Sequence, residues 1–415
     1  MLRMKLGLIE TAASASLLLF AGYRLRRLVP PLDRLNIPAP VIGGLLAALA
    51  VLGARILGFP VIEFDSTLQK PLMVAFFTSL GFAASLRLLR TGGPQVALLL
   101  ALCSAFAILQ NLVGAAVAVS FGLDPLFGVL TGSVTLTGGP ATGLAFAPLF
   151  EQAGVTGAAS VATATAMAGI ILGGLVGAPL ATMLIERHRL RPRENTALPP
   201  AALSTATPDS PSPDPNSPGP DSPDPDDEEA RIVALKSITA ILVAMWIGSW
   251  ISTAIESAGI TLPAYIGAML AASLMRNLDD LTGWLELPHS AIDAAGAVTL
   301  SLFLVMAMMT LDLFELSSLA LPLLASIAVQ LLLVALAFVW PLYQWLGRDY
   351  DAAVMSGGFA GFMLGTTANA MAVMRALVER YGYAPRAFLV APLVGAFFMD
   401  FTNALIITFF LNIFR

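Results

Sequence analysis

Two apolar stretches of this chain are interrupted by small polar residues at matching places in its two halves. The first, 124–150, contains Thr137-Gly138-Gly139-Pro140-Ala141-Thr142-Gly143, and the second, 351–379, contains Gly365-Thr366-Thr367-Ala368-Asn369. A helix broken inside an apolar environment leaves N–H and C=O groups that need partners other than lipid. Thr137, Thr142, Thr366, Thr367 and Asn369 add hydroxyls and an amide to that set, while Gly138, Gly139 and Gly365 leave room for close approach. Return arms starting near Thr142 and Asn369, both acceptable N-cap residues, would aim positive dipole ends at a carboxylate. The preceding arms would end in free carbonyls suited to a hard cation such as Na⁺. These are groups for binding and releasing ligands, and they predict transport rather than catalysis.

Asp400 is the sharpest single residue, set in Phe397-Phe398-Met399-Asp400-Phe401-Thr402-Asn403 near the centre of the last apolar run. An acid at mid-bilayer costs about 2.5–3.5 kcal/mol on insertion scales and by default marks an ion path. Asn403, at i+3, shares its helix face, so the pair can offer oxygens to Na⁺. A structural hydrogen bond is the other reading. Gln110 and Asn111, inside the fourth apolar run, fit either bonding to another helix or lining a substrate path. Gly128, Gly132, Gly169, Gly173 and Gly177 fit close helix packing. With two histidines (His188 and His289), one cysteine (Cys103) and no Gly-x-x-x-x-Gly-Lys-Ser/Thr loop, neither a zinc site nor ATP-driven pumping is expected. No acid, base and nucleophile set converges, so no enzyme is expected.

The elements that must position these residues are membrane helices. The chain is 57% hydrophobic and 12% charged, against roughly 25% charged in soluble domains, and apolar runs long enough to span recur along it. The net charge of -5 is local in origin. Residues 194–230 hold nine acidic residues and no Lys or Arg, and the rest is mildly basic with no surface suited to nucleic acid. That Pro-, Asp- and Ser-rich stretch is expected to be a disordered tether. Glu10 and the flanking Arg24, Arg26 and Arg27 mark the first apolar run as a retained span rather than a signal peptide.

The tether separates halves that resemble each other: 1–193 and 231–415. Asp124 pairs with Asp351 and Gly138 with Gly365, Leu88 and Pro94 with Leu316 and Pro322, and Pro40 and Gly44 with Pro263 and Gly267. Three pairings in order at nearly constant offset indicate a tandem repeat. Spans are predicted near 6–23, 39–56, 71–87, 95–121 and 156–185, then near 232–255, 262–275, 292–311, 319–346 and 386–413. Five crossings per half is odd, so the second repeat enters the bilayer inverted. Each interrupted stretch, near 125–150 and 351–379, is then a re-entrant hairpin, since an arm of roughly 18–20 Å cannot cross the ~30 Å core. The alternative is a single kinked span in each half. With hairpins, 17 of the 22 Lys and Arg fall on one face, which makes the linker cytoplasmic and puts both termini outside. The predicted fold is an all-α polytopic membrane protein of two inverted five-span repeats, each with a re-entrant hairpin.

The sequence resembles the bacterial sodium/glutamate symporter family across both halves. The resemblance rests on Asn36-Ile37-Pro38-Ala39-Pro40-Val41-Ile42-Gly43-Gly44-Leu45-Leu46, on Pro71-Leu72-Met73-Val74-Ala75-Phe76-Phe77 and on Gly132-Ser133-Val134-Thr135-Leu136-Thr137-Gly138-Gly139. It continues through Gly347-Arg348-Asp349-Tyr350-Asp351-Ala352-Ala353-Val354 and Val394-Gly395-Ala396-Phe397-Phe398-Met399-Asp400 with Asn403-Ala404-Leu405. It implies Na⁺-coupled uptake of glutamate across the bacterial inner membrane by a homodimer whose transport domains move as elevators. Carried over by position, Gly138, Gly139, Thr142 and Gly143 fall on the first loop's motif, Gly361, Gly365 and Thr366 or Thr367 on the second, and Asp400 and Asn403 on the final span. The family's first loop usually reads Gly-Gly-His-Gly-Thr-Gly, where this chain has Pro140 and Ala141 in place of His-Gly. Ala368-Asn369 stands where Pro-Thr is common in the second. These departures keep open a hydroxycarboxylate or another organic anion as cargo. A sensor or channel that does not couple fluxes is the alternative from another class.

Overall fold

The computed structural model describes residues 3–35, 37–87, 93–192, 225–257, 263–283, 285–311 and 319–414. In chain order the helices are α1 (Leu8–Leu28), α2 (Pro30–Arg34), α3 (Ala39–Leu57), α4 (Gln69–Phe82), α5 (Gly93–Ser120), α6 (Pro125–Val129, continuing as a π turn Leu130–Val134), α7 (Gly139–Gln152) and α8 (Ala158–His188). There follow α9 (Pro225–Ser257), α10 (Ala264–Thr282), α11 (His289–Met309), α12 (Ala320–Ala337, continuing irregularly to Trp345), α13 (Tyr350–Met363), α14 (Thr367–Tyr381), α15 (Pro385–Leu393, then a π turn Val394–Phe398) and α16 (Met399–Phe414). A helix stands at each of the ten predicted spans, and six of the described helices are long and apolar enough to cross a membrane.

Three local outcomes differ from expectation. Two short parallel strands, β1 (Arg3–Lys5) and β2 (Val61–Glu63), tie the start of the chain to the turn after α3, in register Met4 to Ile62. The last span, expected as one rod, is interrupted by the π turn directly before Asp400. The expected tether lies outside the described residues over 194–224, as does Leu316, and its final residues, 225–230, are already helical.

The helices sort into two groups: α1, α3, α4, α9, α10 and α11 pack on one another, and α5–α8 pack with α12–α16. Within the first group, small residues let backbones nearly touch. A Cβ on Gly43 would lie 2.2 Å from the Leu18 carbonyl oxygen, and one on Gly267 would lie 2.3 Å from the Gly248 oxygen. The same device thus serves α1 on α3 and α9 on α10. Both α3 and α10 end on a left-handed glycine, Gly58 (φ +75°) and Gly283 (φ +63°), a common way to satisfy the last carbonyls.

Tyr265 of α10 marks the seam between the groups. Its ring stacks on Phe77 of α4 at 3.8 Å and meets Phe146 of α7 edge-on at 6.0 Å. The side chain is fully buried and its hydroxyl has no hydrogen-bond partner among the described residues. Nearby, Leu144 of α7 packs with Val41 and with Phe303, Leu304 and Met308 of α11.

Candidate functional site

The first interrupted stretch begins at Asp124, whose carboxylate accepts a hydrogen bond from the Leu126 N–H at 2.8 Å. Its backbone departs from helix earlier than the predicted break. Gly132 (φ -97°, ψ -127°) lies inside the π turn 130–134, and a turn then follows at Thr137 and Gly138. Hydroxyls make good the disrupted ladder: Thr131 donates to the Phe127 carbonyl at 3.1 Å and Thr135 to the Leu130 carbonyl at 2.8 Å. Helix resumes at Gly139, so the N-cap is Gly138 and the expected start near Thr142 is corrected; Thr142 lies within the first turn. Gly139 holds φ +68°, a conformation that costs other residues roughly 1–2 kcal/mol.

The residues predicted at this tip divide in role. The Thr137 hydroxyl donates to Gln110 Oε1 at 2.8 Å and is occupied within the protein. Thr142 is buried against Gly138, and a Cβ on Gly143 would meet the Thr135 methyl at 3.0 Å and Ala162 at 3.1 Å, so Gly143 serves packing.

In the second stretch the equivalent cap is Asp349, which accepts from the Ala352 N–H at 2.9 Å. Asp351, the residue paired with Asp124 by sequence, instead accepts from the N–H groups of Arg386 and Ala387 at 2.9 and 3.2 Å. The return arm α14 is capped by Thr366, whose hydroxyl accepts from the Asn369 N–H at 3.5 Å; the expected start near Asn369 is corrected. Asn369 Nδ2 donates to the Ile170 carbonyl at 2.7 Å, and its Oδ1 is buried without a partner. Thr367 donates to the Gly395 carbonyl in the π turn of the last span at 3.0 Å. The two arms lie antiparallel: Gly361 faces Ala370, Gly358 faces Met374 and Gly357 faces Leu377. Along α8, Gly169, Gly173 and Gly177 face the carbonyls of Leu364, Gly361 and Gly357, which bears out their reading as packing glycines.

The two breaks meet. A Cβ on Gly139 would lie 3.0 Å from the Thr366 methyl and 3.6 Å from the Gly365 carbonyl oxygen. Gln110, fully buried on α5, spans both breaks: its Oε1 takes the Thr137 hydroxyl and its Nε2 donates to the Met363 carbonyl at 2.9 Å. Its own carbonyl accepts from Gln330 Nε2 at 2.8 Å. The last span reaches both breaks, through Gly395 to Thr367 and through Asn403, whose Nδ2 donates to the Ser133 carbonyl at 2.9 Å. Asp400 follows the π turn, partly buried and one turn before Asn403. Gln110 and Asn111 therefore bond other elements, the first of their two predicted roles.

Ser133, Gln330 and Tyr265 were not singled out from sequence. Gln330 carried a readable signal, being an amide within the apolar run of α12, as Gln110 is within α5. Ser133 carried none, since a Gly-Ser pair in an apolar run reads as packing. Among the described residues no three His, Cys, Asp or Glu side chains cluster as metal ligands. A cation here would be held by amide, hydroxyl and carbonyl oxygens, chemistry that suits hard ions.

Comparison with known proteins places the chain in a family. A family model described as sodium/glutamate symporter matches residues 4–383. The chain is 38% identical over 405 residues to the sodium/glutamate symporter of Escherichia coli K12, covering 97% of each chain. The symporter of the same name from Shigella flexneri matches equally. That of Haemophilus influenzae is 35% identical over 396 residues, covering 95% of each.

Proposed function

The chain belongs to the sodium/glutamate symporter family, and from that premise we infer that it carries glutamate together with Na⁺ across the bacterial inner membrane. The observation that supports a site between the breaks is their meeting: Gly139 lies against Thr366 and Gly365. In this reading each interrupted stretch is a re-entrant hairpin of one of two inverted repeats. The arm lengths support it. Both α7 and α13 have 14 residues, or ~21 Å at 1.5 Å per residue, short of the ~30 Å apolar core. Close glycine crossings of α1 on α3 and of α9 on α10 support a repeated helix pair, with Gly43 making the first contact one position from Gly44, the residue paired with Gly267 by sequence.

The α7 and α14 N-termini, with the hydroxyls of Thr366 and Thr367, then receive the substrate's carboxylates. Gly138, Gly139 and Gly365 admit them to the backbone, and Asn369 Oδ1 supplies an acceptor. Na⁺, a co-substrate here, takes oxygens from Asn403 and Asp400. With both ligands bound the tips close, and the group containing α5–α8 and α12–α16 moves past the other as an elevator, the linker staying cytoplasmic and both termini outside. The division of the helices into two groups supports such a movement, and the functional unit proposed is a homodimer.

Purified protein in proteoliposomes should accumulate labelled glutamate only under an inward Na⁺ gradient. A hydroxycarboxylate arm tests the alternative cargo, and flux of that arm without glutamate flux would overturn glutamate. Current without accumulation would indicate a channel.

A further inference from the structure

Two amide side chains converge on one backbone residue, Ser133, in the π turn below the first tip. The Ser133 N–H donates to Asn111 Oδ1 at 2.9 Å, and the Ser133 carbonyl accepts from Asn403 Nδ2 at 2.9 Å. These bonds decide which way round each amide sits. Turning Asn111 over would set NH₂ against N–H, and turning Asn403 over would set oxygen against oxygen. Asn111 is thus forced to present its NH₂ and Asn403 its oxygen. Those two atoms and Ser133 Oγ are buried with no hydrogen-bond partner among the described residues, and all three residues are 0% exposed. Unpaired buried polar atoms are costly and uncommon, so three around one residue call for ligands that satisfy them.

We propose that the Ser133 turn is the coupling element of the symporter, with Asn403 Oδ1 and Ser133 Oγ receiving Na⁺ and Asn111 Nδ2 receiving an oxygen of the substrate carboxylate. The proposal rests on the symport reading above. Neutral amide and hydroxyl oxygens suit a hard cation, and an unhydrated ion needs little space among buried side chains. The unpaired donor of Asn111 is of no use to a cation; it requires an acceptor, which a carboxylate supplies. Placing an acceptor pair and a donor on one turn makes anion and cation neighbours. Each then lowers the cost of burying the other, and the gain is reciprocal by linkage.

Two variants separate the halves of the turn in full-length protein in proteoliposomes. Ser133→Ala keeps both backbone bonds and removes one oxygen, so half-saturating Na⁺ should rise about tenfold, with Ser133→Thr restoring it. Asn111→Asp keeps an oxygen for the Ser133 N–H and replaces the donor with an acceptor. Half-saturating glutamate should then rise about tenfold or more, while thermal stabilisation by Na⁺ alone is kept or strengthened by the added carboxylate. Should Ser133→Ala fail to fold, Ser133→Cys keeps the volume and swaps a hard oxygen for soft sulfur, with the same expected shift. Na⁺ half-saturation within about twofold of wild type in a folded Ser133 variant overturns the cation half. Unchanged glutamate half-saturation in Asn111→Asp, or loss there of stabilisation by Na⁺ alone, overturns the anion half. Wild-type protein that accumulates no glutamate with Na⁺ instead overturns the symport reading itself.

Discussion

The first tip is enclosed and stitched, while the second is half open, although both are breaks of one kind in matched stretches. Thr137 and Thr142 are buried, and the first tip is held through Gln110, Asn111, Asn403 and the packing of Gly143 on α8. At the second, Thr366 and Thr367 are partly exposed and Ala368 is exposed, with ties from Thr367 to Gly395, from Asn369 to Ile170 and from Gln110 to the Met363 carbonyl just before the turn. A buried polar tie is costly to break because its partner is orphaned, whereas an exposed group finds water. Substitutions at the first tip should therefore register as lost stability, and at the second as lost affinity.

The largest expected effect lies on the span that both tips share. Asp400→Asn keeps the size and hydrogen-bonding shape of the side chain but removes its charge. Na⁺-driven glutamate accumulation should fall on the order of 100-fold with the thermal transition near wild type. Full activity in that variant would remove Asp400 from the ion path. Gln110→Ala comes next, and it probes the stitching directly. It orphans the Thr137 hydroxyl and the Met363 carbonyl, so stability should drop by about 2–5 kcal/mol, read as a lower melting temperature in detergent. A melt like that of wild type would show the first tip is not held as argued.

Gly139→Ala acts where the two tips touch. A left-handed residue with a methyl group pressed on Thr366 should cost about 1–2 kcal/mol and raise half-saturating glutamate by roughly tenfold. The smallest effect is expected at the open tip. Thr366→Ala removes the α14 cap, worth about 1 kcal/mol, and should weaken glutamate binding by a few-fold with a small change in melting; Thr366→Ser should restore both. If Thr366→Ala destabilised the protein as much as Gln110→Ala, the contrast between the tips would be void.

Much of this was legible in the sequence because apolar length announces a helix: all ten predicted positions carry one, and six of the described helices are long and apolar enough to cross a membrane. The meeting of the breaks was legible in outline, since glycine and threonine clusters at matched positions have no packing need of that size. What failed was local. The starts near Thr142 and Asn369 were misplaced because a threonine or asparagine caps equally well one turn either way, and tertiary contacts chose Gly138 and Thr366. Thr137 reads as a ligand group, and its identity alone cannot show that its hydroxyl also donates to Gln110, 27 positions earlier. The interruption before Asp400 was hidden because Val394–Phe398 is apolar throughout and a π turn has no composition of its own. Ser133 is hard to read for a related reason: two amides bind its backbone, which every residue has, and its hydroxyl sits in a Gly-Ser pair that reads as packing.

Tyr265 carries a consequence for how the molecule rests and moves. Its ring is clasped between Phe77 on one side of the seam and Phe146 on the other. An aromatic pair adds about 0.5–1.5 kcal/mol beyond simple burial, a few multiples of thermal energy at most. In the proposed elevator movement, sliding α7 along the seam would lift Phe146 off that ring, and the joint would then act as a shallow detent: firm enough to favour one parked position, weak enough that ordinary agitation releases it.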